Sequence, residues 1–300
     1  SVYRPIDVLK KDVSIKSANS AFRKILVVIQ LTISIALIIA TLVILRQWNF
    51  IQSKKLGINS ENVVIVPLPY NHYQTYKDLI KQNPDVVSVT ASNKKLTGRL
   101  SSNLDYKAEG MPPDKPTSIK IVTVDYDFFE TLHNKIVKGR SFSKEYPTDA
   151  TKAFILNETA VKEIGWTEPV GKWFQTSTLD KNLQWKDRKG TVIGVAEDFH
   201  FESLHNKIEA VVFFIEPNWL NWVSIRIKNR NTTETLSFLK EKWETLVEKQ
   251  EFAYSFLDKE IDSLYKNEKR FLKIFFIFSL LAIFIASLGI LGLVSYTAEQ

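Results

Sequence analysis

The sequence contains no cysteine, only four histidines and a single methionine. Without cysteine the chain can form no disulfide, no Cys-ligated zinc site and no thiolate-bound iron–sulfur cluster, and it lacks a thiol nucleophile. It also has no GxxxxGK[ST] segment, so it does not bind ATP through a phosphate-binding loop. A large domain outside the cytoplasm dispenses with disulfides more readily in bacteria than in secreted eukaryotic proteins.

Charge is absent from two long stretches of the chain. The first, Ile25–Leu45, reads ILVVIQLTISIALIIATLVIL and has neither proline nor glycine. As a helix it would extend roughly 30 Å, the thickness of the hydrocarbon core of a bilayer. The second, Ile274–Val294, reads IFFIFSLLAIFIASLGILGLV. Because a helix satisfies its backbone groups internally, both runs are predicted to span a membrane, with everything between them on one side.

The segment before the first run predicts the orientation. Residues 1–24 contain more basic than acidic residues, and cationic flanks stay in the cytoplasm. We therefore expect both ends of the chain to be cytoplasmic and residues 46–273 to be extracytoplasmic. Basic residues also precede the second run, against this trend, but the flanks of long translocated domains count less. The chain begins at Ser1 rather than Met, and we expect it to be a slice of a longer protein.

Each apolar run is predicted to extend as a helix into the segment between them. No helix-breaking residue occurs between Leu45 and Gly57, so a stalk is predicted over residues 46–57. A second stalk is predicted over residues 258–273, capped by Asp258 and continuous with the second run. The residues predicted to couple the spans to the domain are Trp48, Ile51, Gly57, Asp258, Ile261, Leu264 and Tyr265.

Small residues in both runs predict close packing of the two spanning helices. In the first run they are Ala36 and Ala40; in the second they are Ser279, Ala282, Ala286, Gly289 and Gly292. Uncharged polar residues of the first run, Gln30, Thr32, Ser34 and Thr41, are predicted to face another helix. No charged residue lies in either run, so no proton or ion pathway is indicated.

The segment between the runs begins and ends with the same pattern. Residues 62–68 and 85–92 have the composition of strands, and residues 73–83 between them have helical periodicity. Near the far end, Trp222–Ile227 is predicted as a strand. A helix follows it, with Asn231 and Glu234 as a capping-box-like start. Alternating Phe252, Tyr254 and Phe256 then predict a further strand. Two such βαβ units predict a ferredoxin-like lobe split into residues 58–104 and 218–257.

Residues 105–217 are predicted to be an insertion between these halves, forming a second, mainly β lobe. Its predicted strands are Ile119–Val124, Ala153–Leu156, Thr191–Val195 and Val211–Ile215. A helix after Ala153–Leu156 is predicted to be capped by Asn157 and closed by Gly165. The predicted fold class is α+β: a membrane protein in which two transmembrane helices flank a two-lobed extracytoplasmic domain.

Catalytic or metal chemistry has little support in the sequence. Histidines and carboxylates are grouped only in residues 197–205, where their spacing matches no zinc motif, and His72 and His133 are isolated. We predict no catalytic residue, no metal site and no cofactor, and we do not expect an enzyme. The net charge is +7, but there is no basic stripe with interleaved aromatics, so nucleic acid is not an expected partner.

Several ordered segments carry a family resemblance. They include RPIDVLK, FRKILVVIQLTISIALIIATLVILRQW, KKLGINSENVVIVPL, VDYDFFETL, ILNETAVKEIGW and TVIGVAEDFHFESLH. Together they resemble the permease subunits of bacterial ABC transporters of the MacB/FtsX-like superfamily. The resemblance implies that the ferredoxin-like part is a "porter" lobe and the insertion a "sabre" lobe. It also implies two further spans beyond the cytoplasmic residues 295–300.

The resemblance further implies a mechanism, mechanotransmission. A separate nucleotide-binding ATPase subunit would hydrolyse ATP and move the spanning helices, and the stalks would relay this movement to the extracytoplasmic domain. It implies a homodimer or pseudo-dimer of permease halves in the bacterial inner membrane, and a periplasmic adaptor or effector protein as a further partner. Family members expel macrolides or peptides, extract lipoproteins, sense antimicrobial peptides or activate cell-wall hydrolases.

Two other classes of protein fit parts of the pattern. A two-span sensory receptor with an extracytoplasmic ligand-binding domain has the same architecture, and the chain after Gln300 would distinguish it from a permease. A membrane-anchored enzyme is the third alternative, but the sequence offers no catalytic set for it.

Overall fold

The structure, a computed structural model, describes residue 22 and residues 25–46, 57–69, 72–112, 117–179, 184–201, 206–247 and 250–298. It divides into two compact units. The helix unit consists of residues 1–54 and 265–300, and the domain unit consists of residues 55–264. Most of the predicted basic segment and of the first stalk, with Trp48 and Ile51, lies outside the described residues.

The elements follow one another along the chain as helices and short strands. They are α1 (Ile25–Arg46), β1 (Val63–Pro67), α2 (Tyr73–Ile80), β2 (Val86–Ser92), β3 (Asn103–Ala108), β4 (Ser118–Val124), α3 (Phe128–Leu132), β5 (Ile136–Gly139), α4 (Asp149–Lys152), β6 (Ala153–Asn157), α5 (Glu158–Ile164), β7 (Trp173–Leu179), β8 (Trp185–Ala196), β9 (Val211–Ile215), β10 (Trp222–Ile227), α6 (Thr232–Glu244), β11 (Ser255–Phe256), α7 (Leu257–Leu264) and α8 (Lys266–Ala298). A short 3-10 helix, Pro217–Trp219, lies between β9 and β10.

The helix unit contains α1 and α8, which are both long and apolar enough to cross a membrane. Only 11% of the residues in the most hydrophobic stretch of each helix are buried, whereas the core helix of a soluble protein would bury most of them. Large apolar side chains such as Val28 and Phe284, each 62% exposed, therefore face outward. A lipid environment explains this surface, since contact with hydrocarbon removes the cost of exposing it to water.

The two ends of the domain unit form the predicted ferredoxin-like lobe. Its strands lie in the order β11-β1-β10-β2, and every neighbouring pair is antiparallel. β1 and β2 run parallel to each other with β10 between them, which is the split β-α-β arrangement. Helices α2 and α6 cover one face of this sheet, where Tyr76, Leu239 and Trp243 are buried against it. The predicted lobe is therefore confirmed.

The insertion extends the same sheet through β4-β3-β7-β8-β6-β9 and forms its own core. β4 is the connection, because it pairs with β2 at a single residue pair, Ser92 and Val124, and runs parallel to β9. Strand β3 begins at Asn103 and pairs with β4, so the second lobe starts slightly before the predicted boundary. The predicted helix after β6 is confirmed: the Asn157 side chain accepts a hydrogen bond from Ala160 N, and Gly165 ends the helix.

A third cluster of buried side chains lies between the two lobes. It joins Val63 and Ile65 of β1 to Val122, Phe128 and other residues of the insertion. Its aromatic centre is Phe213, which packs within 6 Å of the rings of Phe128 and Phe129. Burial of this much apolar surface on both sides makes the two lobes one body.

Three local predictions at the end of the domain are wrong. Asn231 precedes α6 in a left-handed conformation (φ +55°) and its side chain makes no capping hydrogen bond, because it points toward Asp85 instead. Asp258 is not a cap, since α7 begins one residue earlier, at Leu257. The strand predicted over residues 252–256 is limited to Ser255 and Phe256.

The second stalk is also not one helix. A turn at Tyr265 separates α7 from α8, and α7 belongs to the domain unit whereas Tyr265 and α8 belong to the helix unit. The sequence contains no proline or glycine at this point, so local propensity alone does not predict the break. The packing of α7 into the domain core supplies the reason, because Leu257 is fully buried there and Ile261 packs against the same cluster.

Candidate functional site

The chain enters and leaves the domain unit at two places that we call the attachments. The first attachment is residues 57–61, which follow the first span, and the second is α7, which precedes the second span. Hydrogen bonds to the backbone of the first attachment, and side chains of the second, tie both to distant parts of the domain.

Gly57 begins the first attachment with a φ of +79°, a conformation that favours glycine. A Cβ at this position would overlap the carbonyl oxygen of Asp198 and would lie 2.6 Å from Cβ of Phe199. The buried side chain of Asn134 donates from Nδ2 to the carbonyl oxygens of Gly57 (2.8 Å) and Glu197 (3.1 Å). The backbone at Gly57 is therefore fixed on two sides.

Arg226 of β10 holds the next residues of the first attachment. Its Nη2 donates to the carbonyl of Asn59 and its Nη1 to that of Glu61, both at 2.8 Å, while Nε donates to Thr131 at 2.9 Å. Burial lowers the pKa of Arg226, and the nearby charge of Glu61 partly opposes this. A guanidinium is a cation at neutral pH, and its hydrogen bonds tie the attachment to β10.

Glu260 is the main polar contact of the second attachment. Its carboxylate accepts hydrogen bonds from Lys95, Thr97 and Ser255, the last at 2.5 Å. Burial alone would raise the pKa of Glu260, but the bonds from Lys95, Ser255 and Thr97 outweigh it and lower the pKa below its usual range. Together with buried Leu257, this carboxylate fixes α7 to the domain.

The structure separates the predicted coupling residues. Gly57 and Ile261 are in contact with the domain, whereas Asp258 is exposed on the surface of α7. Leu264 is half-buried at the end of α7, and Tyr265 occupies the break between the two helices. Sequence reasoning missed Asn134, Arg226 and Glu260; an arginine inside the otherwise apolar strand WVSIRI was a signal that could have identified one of them.

A buried ionic network lies where the two lobes meet. Lys77 of α2 donates from Nζ to Asp125 (2.6 Å) and Asp127 (2.5 Å), and Asp125 also accepts from Tyr73 and Thr90. Burial lowers the pKa of Lys77, but the charges and hydrogen bonds of the two aspartates outweigh it and raise the pKa overall. The network joins α2 of the ferredoxin-like lobe to the start of α3, so it links the two lobes by polar contact.

Within the helix unit, hydroxyl groups link α1 to α8 in what we call the polar seam. Ser34 Oγ donates to the carbonyl of Ala282 at 3.2 Å, and the hydroxyls of Thr41 and Ser279 lie 2.8 Å apart. A Cβ on Gly289 would come within 3.0 Å of Gln30 Oε1, so glycine allows close approach there. Such contacts favour association of helices in lipid, where the hydrophobic effect does not.

The predicted packing positions do not all face the partner helix. Ser279 and Ala286 are buried, while Ala40, Ala282 and Gly289 are half-buried. Ala36 and Gly292 are exposed, so in the described part of the helix unit neither lies between α1 and α8. Thr32 is also exposed and hydrogen-bonds only its own helix, at Val28.

Among the described residues, no group of three or more His, Asp or Glu side chains could hold a metal ion. In the stretch 197–205, Phe199 and Phe201 are buried in the cluster between the lobes, and Asp198 accepts hydrogen bonds from Thr159. His133 caps the end of α3 in a left-handed conformation, and His72 precedes α2. Residues 202–205 of the stretch lie outside the described residues.

Comparison with known proteins gives one family model and several solved structures. The model of the MacB-like periplasmic core domain matches residues 25–237. The periplasmic region of MacB from Actinobacillus actinomycetemcomitans is 16% identical, with a TM-score of 0.47, covering 70% of this chain and 95% of that one. The extracellular domain of the noncanonical ABC-type transporter YknZ from Gram-positive bacteria is 14% identical, with a TM-score of 0.45, covering 64% and 97%.

A domain of a putative permease protein from Porphyromonas gingivalis is 14% identical, with a TM-score of 0.43, covering 65% of this chain and 89% of that one. A search of curated proteins finds no match to the sequence. The family model spans more than half of the chain, including the first apolar helix and most of the domain unit. The chain therefore belongs to the MacB-like periplasmic core domain family, within the MacB-like superfamily of ABC transporter permeases.

Proposed function

We propose that this chain transmits movement from the membrane to an extracytoplasmic domain, as the permease subunit of a bacterial ABC transporter. A separate nucleotide-binding subunit would hydrolyse ATP, and the resulting displacement of α1 and α8 would reach the domain through the two attachments. The transporter would export or extract a drug, a peptide or a lipoprotein, or would transmit a signal.

The observation that carries the proposal is the way in which both attachments are held. Arg226 and Asn134 fix the first, while Glu260 and Leu257 fix the second, and all four side chains belong to the same compact unit. A tethered domain needs no such contacts at its ends. A domain that is moved as one body does, because a flexible end would absorb the displacement.

The proposal includes an arrangement in the membrane. The basic residues before α1 support a cytoplasmic start, and the domain unit would then lie outside the cytoplasmic membrane. Two copies of the permease, or two halves of a longer one, would pair with the ATPase, and a periplasmic adaptor or effector would contact the domain. Each such chain would cross the membrane more than twice if further spans follow.

The test uses the absence of native cysteine. Glu234→Cys places one spin label on the exposed surface of α6, away from both attachments. The full chain is co-expressed with its ATPase and reconstituted in nanodiscs, and the distance between labels on two copies is measured with and without ATP and vanadate. We expect the distance distribution to shift on nucleotide trapping, and not to shift with an ATPase variant that cannot bind ATP.

A second variant separates coupling from assembly. Glu260→Ala in the same labelled background should keep ATP hydrolysis but reduce the nucleotide-dependent shift, because α7 loses its polar contact with the domain. If no ATPase co-purifies, or if ATP is hydrolysed without any shift in the labelled Glu234→Cys chain, the proposal is wrong. A two-span receptor would then be favoured, and its label distance would respond to an extracytoplasmic ligand rather than to ATP.

A further inference from the structure

A concave pocket of about 440 Å³ opens on the surface of the domain unit. Among the described residues of its lining, Arg99, Lys120 and Lys207 are basic and Glu209 is acidic. Residues 202–205 lie outside the described residues. Its apolar lining comes from the cluster between the lobes and consists of Leu100, Phe199, Phe201 and Val211. The size lies within the range of small-molecule sites, which combine an apolar surface with a few polar groups.

In the part of the chain that the structure describes, the positive charges of the pocket outnumber its negative charges. Lys120 Nζ lies 3.3 Å from Glu209 Oε1, which neutralises one of the three cations. Arg99 and Lys207 form no ion pair with any carboxylate in the part of the chain that the structure describes. Two cations that have no carboxylate partner among the described residues, on the wall of a concave pocket, create a positive potential that attracts an anion.

A fourth basic residue, Lys94, lies next to the pocket. Burial lowers the pKa of Lys94, and the positive charge of Lys120 lowers the pKa further. Toward the described residues its ammonium donates a long hydrogen bond of 3.3 Å, to Ser101. An anion close to Lys120 would reduce the repulsion between these ammonium groups.

The loop that carries Arg99 is held in place by hydrogen bonds to the rest of the domain. Asn93 Oδ1 accepts from Thr123 N at 2.9 Å, and Ser92 Oγ donates to the carbonyl of Lys94 at 2.6 Å. Lys95 and Thr97 bind Glu260 of α7. A fixed loop orders the binding site before the ligand arrives, which lowers the entropic cost of binding.

We propose that this pocket binds a small phosphate-bearing anion, with the phosphate between Arg99, Lys120 and Lys207 and with the buried rings of Phe199 and Phe201 forming the floor of the pocket. A phosphate is favoured over a carboxylate because its two negative charges match the two unbalanced cations, and its oxygens accept from both guanidinium and ammonium groups. The binding site does not depend on the transport function proposed above.

The experiment titrates phenyl phosphate into the full chain in phosphatidylcholine nanodiscs and measures binding by calorimetry. We expect saturable binding that benzoate does not reproduce. The double variant R99Q/K207Q should weaken binding about tenfold or more, because both charge-assisted contacts are lost. Both side chains are exposed, so the variant should fold, which circular dichroism verifies.

The control variant is K162Q/K186Q, which removes the same charge from exposed positions outside the pocket. It should bind phenyl phosphate as the unmodified chain does. Absence of saturable binding to the unmodified chain would overturn the proposal. An equal loss in both double variants would also overturn it, since attraction would then depend on net charge and not on the pocket.

A second arm identifies the source of the phosphate. The titration is repeated in nanodiscs that contain phosphatidylglycerol. If a lipid headgroup fills the pocket, phenyl phosphate binds the unmodified chain more weakly there, and a soluble phosphate ester is the ligand if the affinity is unchanged. R99Q/K207Q should show no response to the lipid in either case.

Discussion

In the helix unit the side chains that lie buried include Ser34, Thr41 and Ser279, while Phe284 and other large apolar side chains are exposed. In the domain unit the distribution is the opposite, because large apolar side chains such as Phe213 and Trp243 are buried. The two units come from one chain, yet the helix unit buries polar side chains, which hydrocarbon does not favour, and the domain unit buries apolar side chains, which water does not favour. Lipid provides no hydrophobic drive for helix pairing, so hydroxyl groups and close contact favour it, whereas water drives apolar side chains into the domain core.

The largest effect on the free energy of unfolding is expected when a phenylalanine is replaced by alanine in the domain unit, and the same change in the helix unit is the comparison. Phe213→Ala removes the ring at the centre of the cluster between the lobes and should lower the free energy of unfolding by about 3–5 kcal/mol. Phe284→Ala removes a ring that is 62% exposed on α8 and should cost less than about 1 kcal/mol in lipid. Urea unfolding of the reconstituted chain, followed by tryptophan fluorescence, measures both. Similar losses would mean that α8 does not face lipid.

The next effect concerns the buried ionic network of the domain unit. Asp125→Ala leaves Lys77 buried with one carboxylate fewer and removes the acceptor of Tyr73 and Thr90, so stability should fall by about 3 kcal/mol. Asp127→Ala is the matched control, because Asp127 is partly exposed and its loss leaves the pair of Lys77 with Asp125. Equal losses for the two variants in the same unfolding measurement would contradict the assigned importance of Asp125.

Glu260 tests whether α7 is held by polar contact as well as by burial. Glu260→Ala should cost about 1–2 kcal/mol and increase hydrogen exchange in α7, because Lys95, Thr97 and Ser255 lose their acceptor. Asp258→Ala, on the exposed surface of the same helix, should change exchange little. Unchanged exchange after loss of Glu260 would show that Leu257 alone fixes the helix.

The same carboxylate predicts a dependence on pH. Its pKa is lowered in the folded domain, so its contribution to stability is present above its unfolded pKa, about 4.3, and is lost as the pH falls through the folded value. Glu260→Gln cannot titrate. The difference in unfolding free energy between the unmodified chain and Glu260→Gln should therefore be constant near neutral pH and shrink below about pH 4.3. A difference that persists at lower pH would contradict the lowered pKa.

The smallest effect is expected in the polar seam. Thr41→Val keeps the shape of the side chain but removes its hydrogen bond with Ser279, and interhelical bonds of this kind contribute about 0.6 kcal/mol. Thr32→Val removes only a bond within α1. Energy transfer between labels on the two helices during titration with a denaturing detergent should show weaker pairing for the first variant only. Equal weakening would mean that helix propensity, not the seam, decides the pairing.

Local pattern was sufficient to predict most of the architecture. Apolar length predicted both spanning helices, and period-two and helical spacing predicted the units that make the ferredoxin-like lobe. The cap of α5 by Asn157 was predictable because capping involves neighbours along the chain. Strand β7 and most of β8 were not predicted, because both have a weak apolar signal. The buried face of β7 includes the polar residues Thr176 and Thr178, and the first half of β8 consists mostly of charged residues, most of which are exposed.

The contacts that make the candidate site depend on residues far apart in the sequence. Arg226 reaches Asn59, Glu260 reaches Thr97, and Lys77 reaches Asp125 only after the strands have paired. The break at Tyr265 has the same origin, because α7 packs on the domain core while α8 continues as an apolar helix. The hydrophobic composition and periodicity of a segment depend on whether it contacts lipid, water or the core, and both can be read directly from the sequence. Long-range hydrogen bonds and helix breaks follow from packing, which appears only when the whole chain has folded.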